Sequence, residues 1–318
     1  MKKAVAIIIT ALSIALHIPV AAQTEKYEEI ASESLQREIV EHLCDSVMEG
    51  RGSGTGGGLL ARNYILDRFE QLDLRPFYFS RQESFFFNEK ITMHNVLGVV
   101  PALDICDKYI VVSAHYDHLG VIKGKTYPGA DDNASGVAAL LALAQMFSQM
   151  RQDGIGPAVN ILFVAFDGKE YSMAGSKRFI AELPIAPQDI VCEINMDILG
   201  STLVPVRKNP EYLIILGRNT LPVNMRDIIA NCNWRRNLNL DIDFTFYGSD
   251  DFTKTIYKLG DHYAFNQKGV PALLFTSGFH EHTLKTTDTP AIINYEVLAK
   301  RTKLIFNTIL GIANVSNH

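Results

Sequence analysis

From Ile91 onward, short apolar runs alternate with helical stretches, and polar motifs stand where several of those runs stop. Tyr109 to Ala114 (Tyr-Ile-Val-Val-Ser-Ala) is rich in β-branched residues and reads as a buried strand. Val159 to Phe166, Ile190 to Met196 and Ala272 to Thr276 read the same way. Between and after them, Ser135 to Met150, Ser176 to Leu183 and Tyr295 to Ala313 carry helical patterns, the first apolar on nearly every face. Such alternation predicts an α/β fold, a three-layer αβα sandwich with a mostly parallel mixed sheet and helices on both faces. Sites in such folds lie in the loops beyond the carboxyl ends of the strands.

Ahead of this region, Glu28 to Met48 reads as an amphipathic helix and Leu59 to Leu72 as a second one. The run Gly50-Arg51-Gly52-Ser53-Gly54-Thr55-Gly56-Gly57-Gly58 between them has no Gly-Lys-Ser/Thr ending and no preceding strand. It reads as a flexible turn rather than a phosphate loop. No repeat or linker divides residues 23–318, which are expected to form a single domain of a size that buries a core without staples. The formal charge of -5, with no basic block, argues against a nucleic-acid partner.

Residues 1–22 have the make-up of a cleavable leader: a Met1-Lys2-Lys3 start, an apolar stretch from Ala4 to Val20, and small residues at Ala21-Ala22. Cleavage would begin the mature chain near Gln23 in a periplasmic or secreted setting, with no membrane association afterwards. The cysteines, Cys44, Cys106, Cys192 and Cys232, are scattered and make a poor zinc cluster. Cys192 lies in an apolar run and reads as a buried free thiol, while a disulfide among the others stays open.

His115 ends a strand, and Asp117, two residues on, points the same way while the chain stays extended. An aspartate so placed can hold the second ring nitrogen of a metal-bound imidazole. His118 has no such support and is left out of the expected set. Asp131-Asp132-Asn133 precedes a helix, and two adjacent aspartates exceed what capping needs. Lys169-Glu170 and Asp197 follow strands, and His282 comes late. Asp132, Glu170 and Asp197 bring three negative charges into one cleft, which calls for cations. Zinc suits mixed imidazole and carboxylate ligands.

These residues resemble those of the exported co-catalytic zinc aminopeptidases, whose fold is shared with glutamate carboxypeptidase and glutaminyl cyclase. The resemblance runs from Met48-Glu49-Gly50-Arg51 to the closing helix and is most specific at Gly129-Ala130-Asp131-Asp132-Asn133-Ala134-Ser135-Gly136 and at Gly269-Val270-Pro271-Ala272. It implies a peptide substrate and two zincs, one held by His115, Asp132 and Asp197, the other by Asp132, Glu170 and His282, with Asp132 bridging. By the same resemblance Asp117 would orient His115, and Asp261 would have a comparable supporting role. The spacing from histidine to Asp288 in the last motif is longer than usual, so His280 stands as an alternative to His282.

Where that family has adjacent glutamates, a general base followed by a ligand, this chain has Lys169-Glu170. The expected reading is a working zinc-dependent exopeptidase of aminopeptidase type that removes residues from the free amino ends of peptides, in which a neutral Lys169, or another acid such as Asp167 or Glu281, serves as base. A second gives Lys169 the charge role of one zinc, leaving a mono-zinc protein that binds peptide ends. A third is a glutaminyl cyclase-like acyl transferase, which the lysine disfavours equally. A fourth turns Lys169 to solvent. The loops from Val204 to Phe252, with Trp234, carry nothing that fixes a side-chain preference, and nothing in the chain indicates an oligomeric state.

Overall fold

The computed structural model describes residues 20–204 and 207–316; most of the expected leader lies outside the described residues. Among the described residues there are ten strands: β1 (Gln82–Phe86), β2 (Thr92–Val100), β3 (Tyr109–His115), β4 (Gly120–Ile122), β5 (Lys125–Tyr127), β6 (Asn160–Phe166), β7 (Ile190–Met196), β8 (Tyr212–Leu216), β9 (Asp241–Asp243) and β10 (Ala272–Thr276). The helices are α1 (Val20–Glu28), α2 (Glu33–Leu43), α3 (Gly56–Gln71), α4 (Gly136–Gln152), α5 (Ala174–Ala181), α6 (Ile228–Arg235), α7 (Asp250–Ile256), α8 (His262–Asn266) and α9 (Tyr295–Val315).

Eight strands form one sheet in the order β1-β2-β6-β3-β7-β10-β8-β9, and β4 with β5 makes a separate hairpin. The centre, β6-β3-β7-β10, is parallel, while β1, β2 and β8 join antiparallel. Strand residues divide between two cores with period two. Ile161, Phe163 and Ala165 pack under α2, α3, α4 and α9, whereas Leu162, Val164 and Phe166 face Phe179 of α5 and Phe265 of α8. Helices therefore cover both faces, which is the expected α/β sandwich. Among the described residues, no helix is long and apolar enough to cross a membrane.

The helix expected over Glu28 to Met48 is interrupted. Ser32 caps α2, its hydroxyl accepting from Leu35 N, and Asp45 caps a tight turn over Ser46–Arg51. The glycine run is a turn only in part: Gly52 to Thr55 form it, and Thr55 caps α3, which starts at Gly56 rather than at Leu59. A Cβ on Gly57 would lie 1.9 Å from Met48 O, and one on Gly58 2.3 Å from Gly52 O, so these glycines let the helix start lie directly on the preceding turn. Strand β8 was not anticipated. All four cysteines are free thiols, Cys192 buried among them.

Arg51, fully buried, joins the parts that carry the site. Its guanidinium donates to Tyr116 O (2.8 Å), Leu43 O (2.8 Å), Pro128 O (2.6 Å) and Gly129 O (2.8 Å). A planar five-donor group is suited to such a fan of carbonyls.

Candidate metal centre

Three neighbouring strands deliver the chemistry to one edge of the sheet. β3 ends at His115, β6 leads into Asp167 and the Lys169-Glu170 turn, and β7 leads into Asp197. Asp132 comes from the irregular segment Ala130–Ser135 that precedes α4. That segment is anchored from both sides. Asp288 accepts the N–H groups of Asp131 (2.8 Å) and Asp132 (3.0 Å), and Asp131 accepts from Gly200 N (2.6 Å), Ser201 N (3.1 Å) and Ser135 Oγ (2.9 Å).

His115 Nε2 lies 3.3 Å from Asp197 Oδ1 and 3.5 Å from Asp132 Oδ1. A tetrahedral zinc with bonds near 2.0–2.1 Å keeps its ligand atoms roughly 3.4 Å apart, so this spacing matches a metal triad. The other oxygen of Asp132 turns toward His118, whose Nδ1 is 4.0 Å from it and 3.7 Å from Glu170 Oε1. Two groups thus share Asp132: His115, Asp132 and Asp197, and His118, Asp132 and Glu170.

Lys169 points inward. Its ammonium is paired with Asp197 Oδ2, and its side chain is 15% exposed, so the solvent-facing alternative does not describe this residue. Burial opposes the charge on Lys169, but Asp197, Asp261 and Asp132 outweigh it and raise its pKa. Asp197 is held well below the usual carboxylate range: burial works against it, and the Lys169 and His115 charges win. Burial and the Lys169 charge oppose protonation of His115, yet Asp197 and Asp132 lift it to about 10. Burial pushes His118 the other way, down to about 4.

Asp117 acts in two directions. Its backbone carbonyl is 3.1 Å from His115 Nδ1, which orients the ring. Its carboxylate accepts the N–H groups of Lys169 (3.0 Å) and Glu170 (3.2 Å), fixing the turn that carries them. Burial, then the charge of Asp167, raises the Asp117 carboxyl to about 7.

Of the sequence-derived residues, His115, Asp117, Asp132, Lys169, Glu170 and Asp197 converge. His282 does not join them: its Nδ1 is 2.9 Å from Thr287 Oγ1, and the side chain is 26% exposed. His280 is 3.0 Å from Asp131 Oδ2, behind the carboxylates. The loop instead turns through Leu284, in the left-handed region at φ 58, and Thr283 and Leu284 enter the cleft wall. Asp261 accepts from Ser176 Oγ at 2.5 Å and adds negative charge near Lys169. His118 and the anchoring role of Asp131 were missed. His118 could be found only by knowing that the 129–132 and 169–170 segments fold over it.

A mixed α/β sandwich with imidazoles and carboxylates gathered at the carboxyl ends of its central strands defines a protein of the co-catalytic zinc exopeptidase fold. The chain belongs to peptidase family M28, whose model matches residues 95–309. It is 26% identical over 204 residues to the putative zinc metalloprotease TRE2 of Saccharomyces cerevisiae, covering 64% of this chain but 22% of that protein. The chain therefore spans under a third of that curated relative. Its fold matches the LapA aminopeptidase of Legionella pneumophila with a TM-score of 0.69 at 17% identity, covering 98% of this chain and 78% of that one. It matches the glutaminyl cyclase of Fimbriiglobus ruber with a TM-score of 0.71 at 19% identity, covering 88% and 95%.

Proposed function

We propose that this M28 chain is an exported protein that captures peptides by the amino end around a single zinc and hydrolyses them poorly, an aminopeptidase-type cleft turned chiefly to binding. The observation that carries this reading is the Lys169 ammonium, buried in the cleft and paired with Asp197. It stands where a general-base carboxylate is expected, and an ammonium cannot take a proton.

Charge supports the count of one zinc. Asp132, Glu170 and Asp197 contribute −3, Lys169 contributes +1, and one zinc contributes +2, which sums to zero with His115 neutral and to +1 with it protonated. A second zinc would leave the cleft at +2. The donor set fits zinc, being neutral imidazole and carboxylate at near-ligand spacing. When bound, zinc supplies a Lewis acid that polarises a peptide carbonyl.

The residues beside the acids suit a bulky apolar side chain. Ile198, Phe246, Ile256, Leu259, Leu274 and Leu284 wall a cavity of about 180 Å³ next to Asp132 and Glu170. A cavity of about 150 Å³ holds a benzene ring, so the space accommodates one leucyl or aromatic side chain. The leader pattern in residues 1–22 supports export to the periplasm or beyond.

The test is to incubate the zinc-loaded mature chain with a mixed peptide library, following products by mass spectrometry and binding by calorimetry. Peptides with a bulky apolar first residue should bind and stay largely intact, and amino-terminal acetylation should abolish binding. Rapid loss of single residues from amino ends would make it a working aminopeptidase. Loss of ammonia from peptides that begin with Gln would make it a cyclase.

A further inference from the structure

We infer that His118 is the imidazole ligand of the retained zinc, with Asp132 and Glu170, and that the His115 side of the cleft is closed to metal by Lys169. The inference rests on the reading that the cleft holds one zinc.

His118 is 1% exposed, and neither ring nitrogen has a hydrogen-bond partner. A buried imidazole with both nitrogens idle is unfavourable unless something outside the chain engages it. Its Nδ1 faces Glu170 Oε1 at 3.7 Å and Asp132 Oδ2 at 4.0 Å. Zinc would need these atoms roughly 3.4 Å apart, an adjustment of a few tenths of an ångström. Glu170 is the most exposed of the three, its side chain 21% exposed, which leaves it room to close that gap.

The ring is held in a built seat. A Cβ on Gly129 would lie 2.5 Å from His118 Cγ and Cδ2, so only glycine there leaves the ring its room. Arg51 ties the segments on either side of the ring together, donating to Tyr116 O on one and to Pro128 O and Gly129 O on the other, and its own carbonyl accepts from His118 N at 3.3 Å.

The contrast with His115 decides between the two triads. His115 has the orientation of a metal ligand, with Nδ1 on Asp117 O and Nε2 facing Asp197 and Asp132, so Lys169 is what separates the two sides. The ammonium of Lys169 stands on the remaining oxygen of Asp197, so a dication added there would meet a fixed positive charge. On the His118 side, no lysine or arginine is paired with Asp132 or Glu170 among the described residues; the contact to Asp132 from the other side is His115, on Oδ1.

The experiment measures zinc per chain by elemental analysis after dialysis, zinc affinity by competition with a chelator, and the visible spectrum of the Co(II)-loaded protein. Wild type is compared with His118→Ala, His115→Ala and His282→Ala. His118→Ala should weaken zinc by at least roughly 100-fold, more than the loss of an outer partner costs, and should change the Co(II) spectrum. His282→Ala should leave both within twofold. Tight zinc and an unchanged spectrum in His118→Ala would overturn the inference while leaving the one-zinc reading intact. Two zincs in wild type, with one lost in His118→Ala, would remove the one-zinc reading and keep His118 as a ligand. A wild-type chain that binds no zinc overturns both. Should His118→Ala fail to fold, His118→Gln and the histidine ring resonances of wild type under zinc titration decide: the His118 signal must shift and the His282 signal must not.

Discussion

The Lys169 ammonium rests on Oδ2 of Asp197 while His115 Nε2 faces Oδ1 of the same carboxylate at 3.3 Å. One aspartate is thus shared between a fixed cation and an imidazole. An ionic partner on a metal-ligand carboxylate competes with the metal for it, and reversing the partner's charge should reopen the position.

Lys169→Glu places four carboxylates in the cleft, which two zincs neutralise. Zinc content should rise from one to two per chain, and the initial rate of amino-end hydrolysis should rise by about 10² or more, the usual worth of a general base. Elemental analysis and a chromogenic apolar amino-acid anilide check both. A fall in rate would instead give Lys169 a catalytic part.

Arg51→Lys should destabilise the fold by about 2–4 kcal/mol, because several of the carbonyls that Arg51 serves would be left buried without a donor. Urea denaturation measures this. Zinc affinity should fall alongside, since the same carbonyls fix the segments around His118.

Adjacent glycines should answer oppositely to alanine. Gly57→Ala drives a Cβ against Met48 O and should cost about 1–3 kcal/mol. Gly56→Ala meets nothing within 4 Å and should be neutral or stabilising by up to about 1 kcal/mol. Melting temperatures of the two variants, measured side by side, give the comparison.

His262 should make the fold acid-sensitive. It is fully buried against Tyr257, and burial depresses it to about 3. Below pH about 6.5 the unfolded chain takes up a proton that the folded chain refuses. Stability from this group is therefore complete above that pH and lost as pH falls toward 3, at about 1.4 kcal/mol per unit. Between pH 6.5 and 5 the wild type should lose about 2 kcal/mol that His262→Gln keeps, read from denaturation midpoints at each pH.

The sheet was legible because buried parallel strands are short, apolar and β-branched, and β3, β6, β7 and β10 all have that character. Strand β8 has it too, as Tyr-Leu-Ile-Ile-Leu, but no polar motif at its end drew attention to it. Asp117 was legible as a neighbour of the His115 ring, but its backbone carbonyl rather than its carboxylate meets Nδ1, and the carboxylate acts on the Lys169-Glu170 turn, a contact across 52 residues. The role of the glycine run depended on how close Met48 O would come, which is a property of packing. His282 matched a motif in order along the chain, but the left-handed turn at Leu284 puts an apolar side chain into the cleft wall instead. Order along the chain marks which segments meet; it does not say which side chain each segment turns inward.

Asp132 presents one oxygen to each triad, so the two halves of the cleft share a single negative charge. By linkage, a cation in one half weakens the hold on a cation in the other. Lys169 is a cation that cannot diffuse away, and its local concentration is set by the chain rather than by the surroundings. Where metal is scarce, a two-zinc cleft would empty into mutual carboxylate repulsion. This one keeps part of its charge compensated whatever the supply.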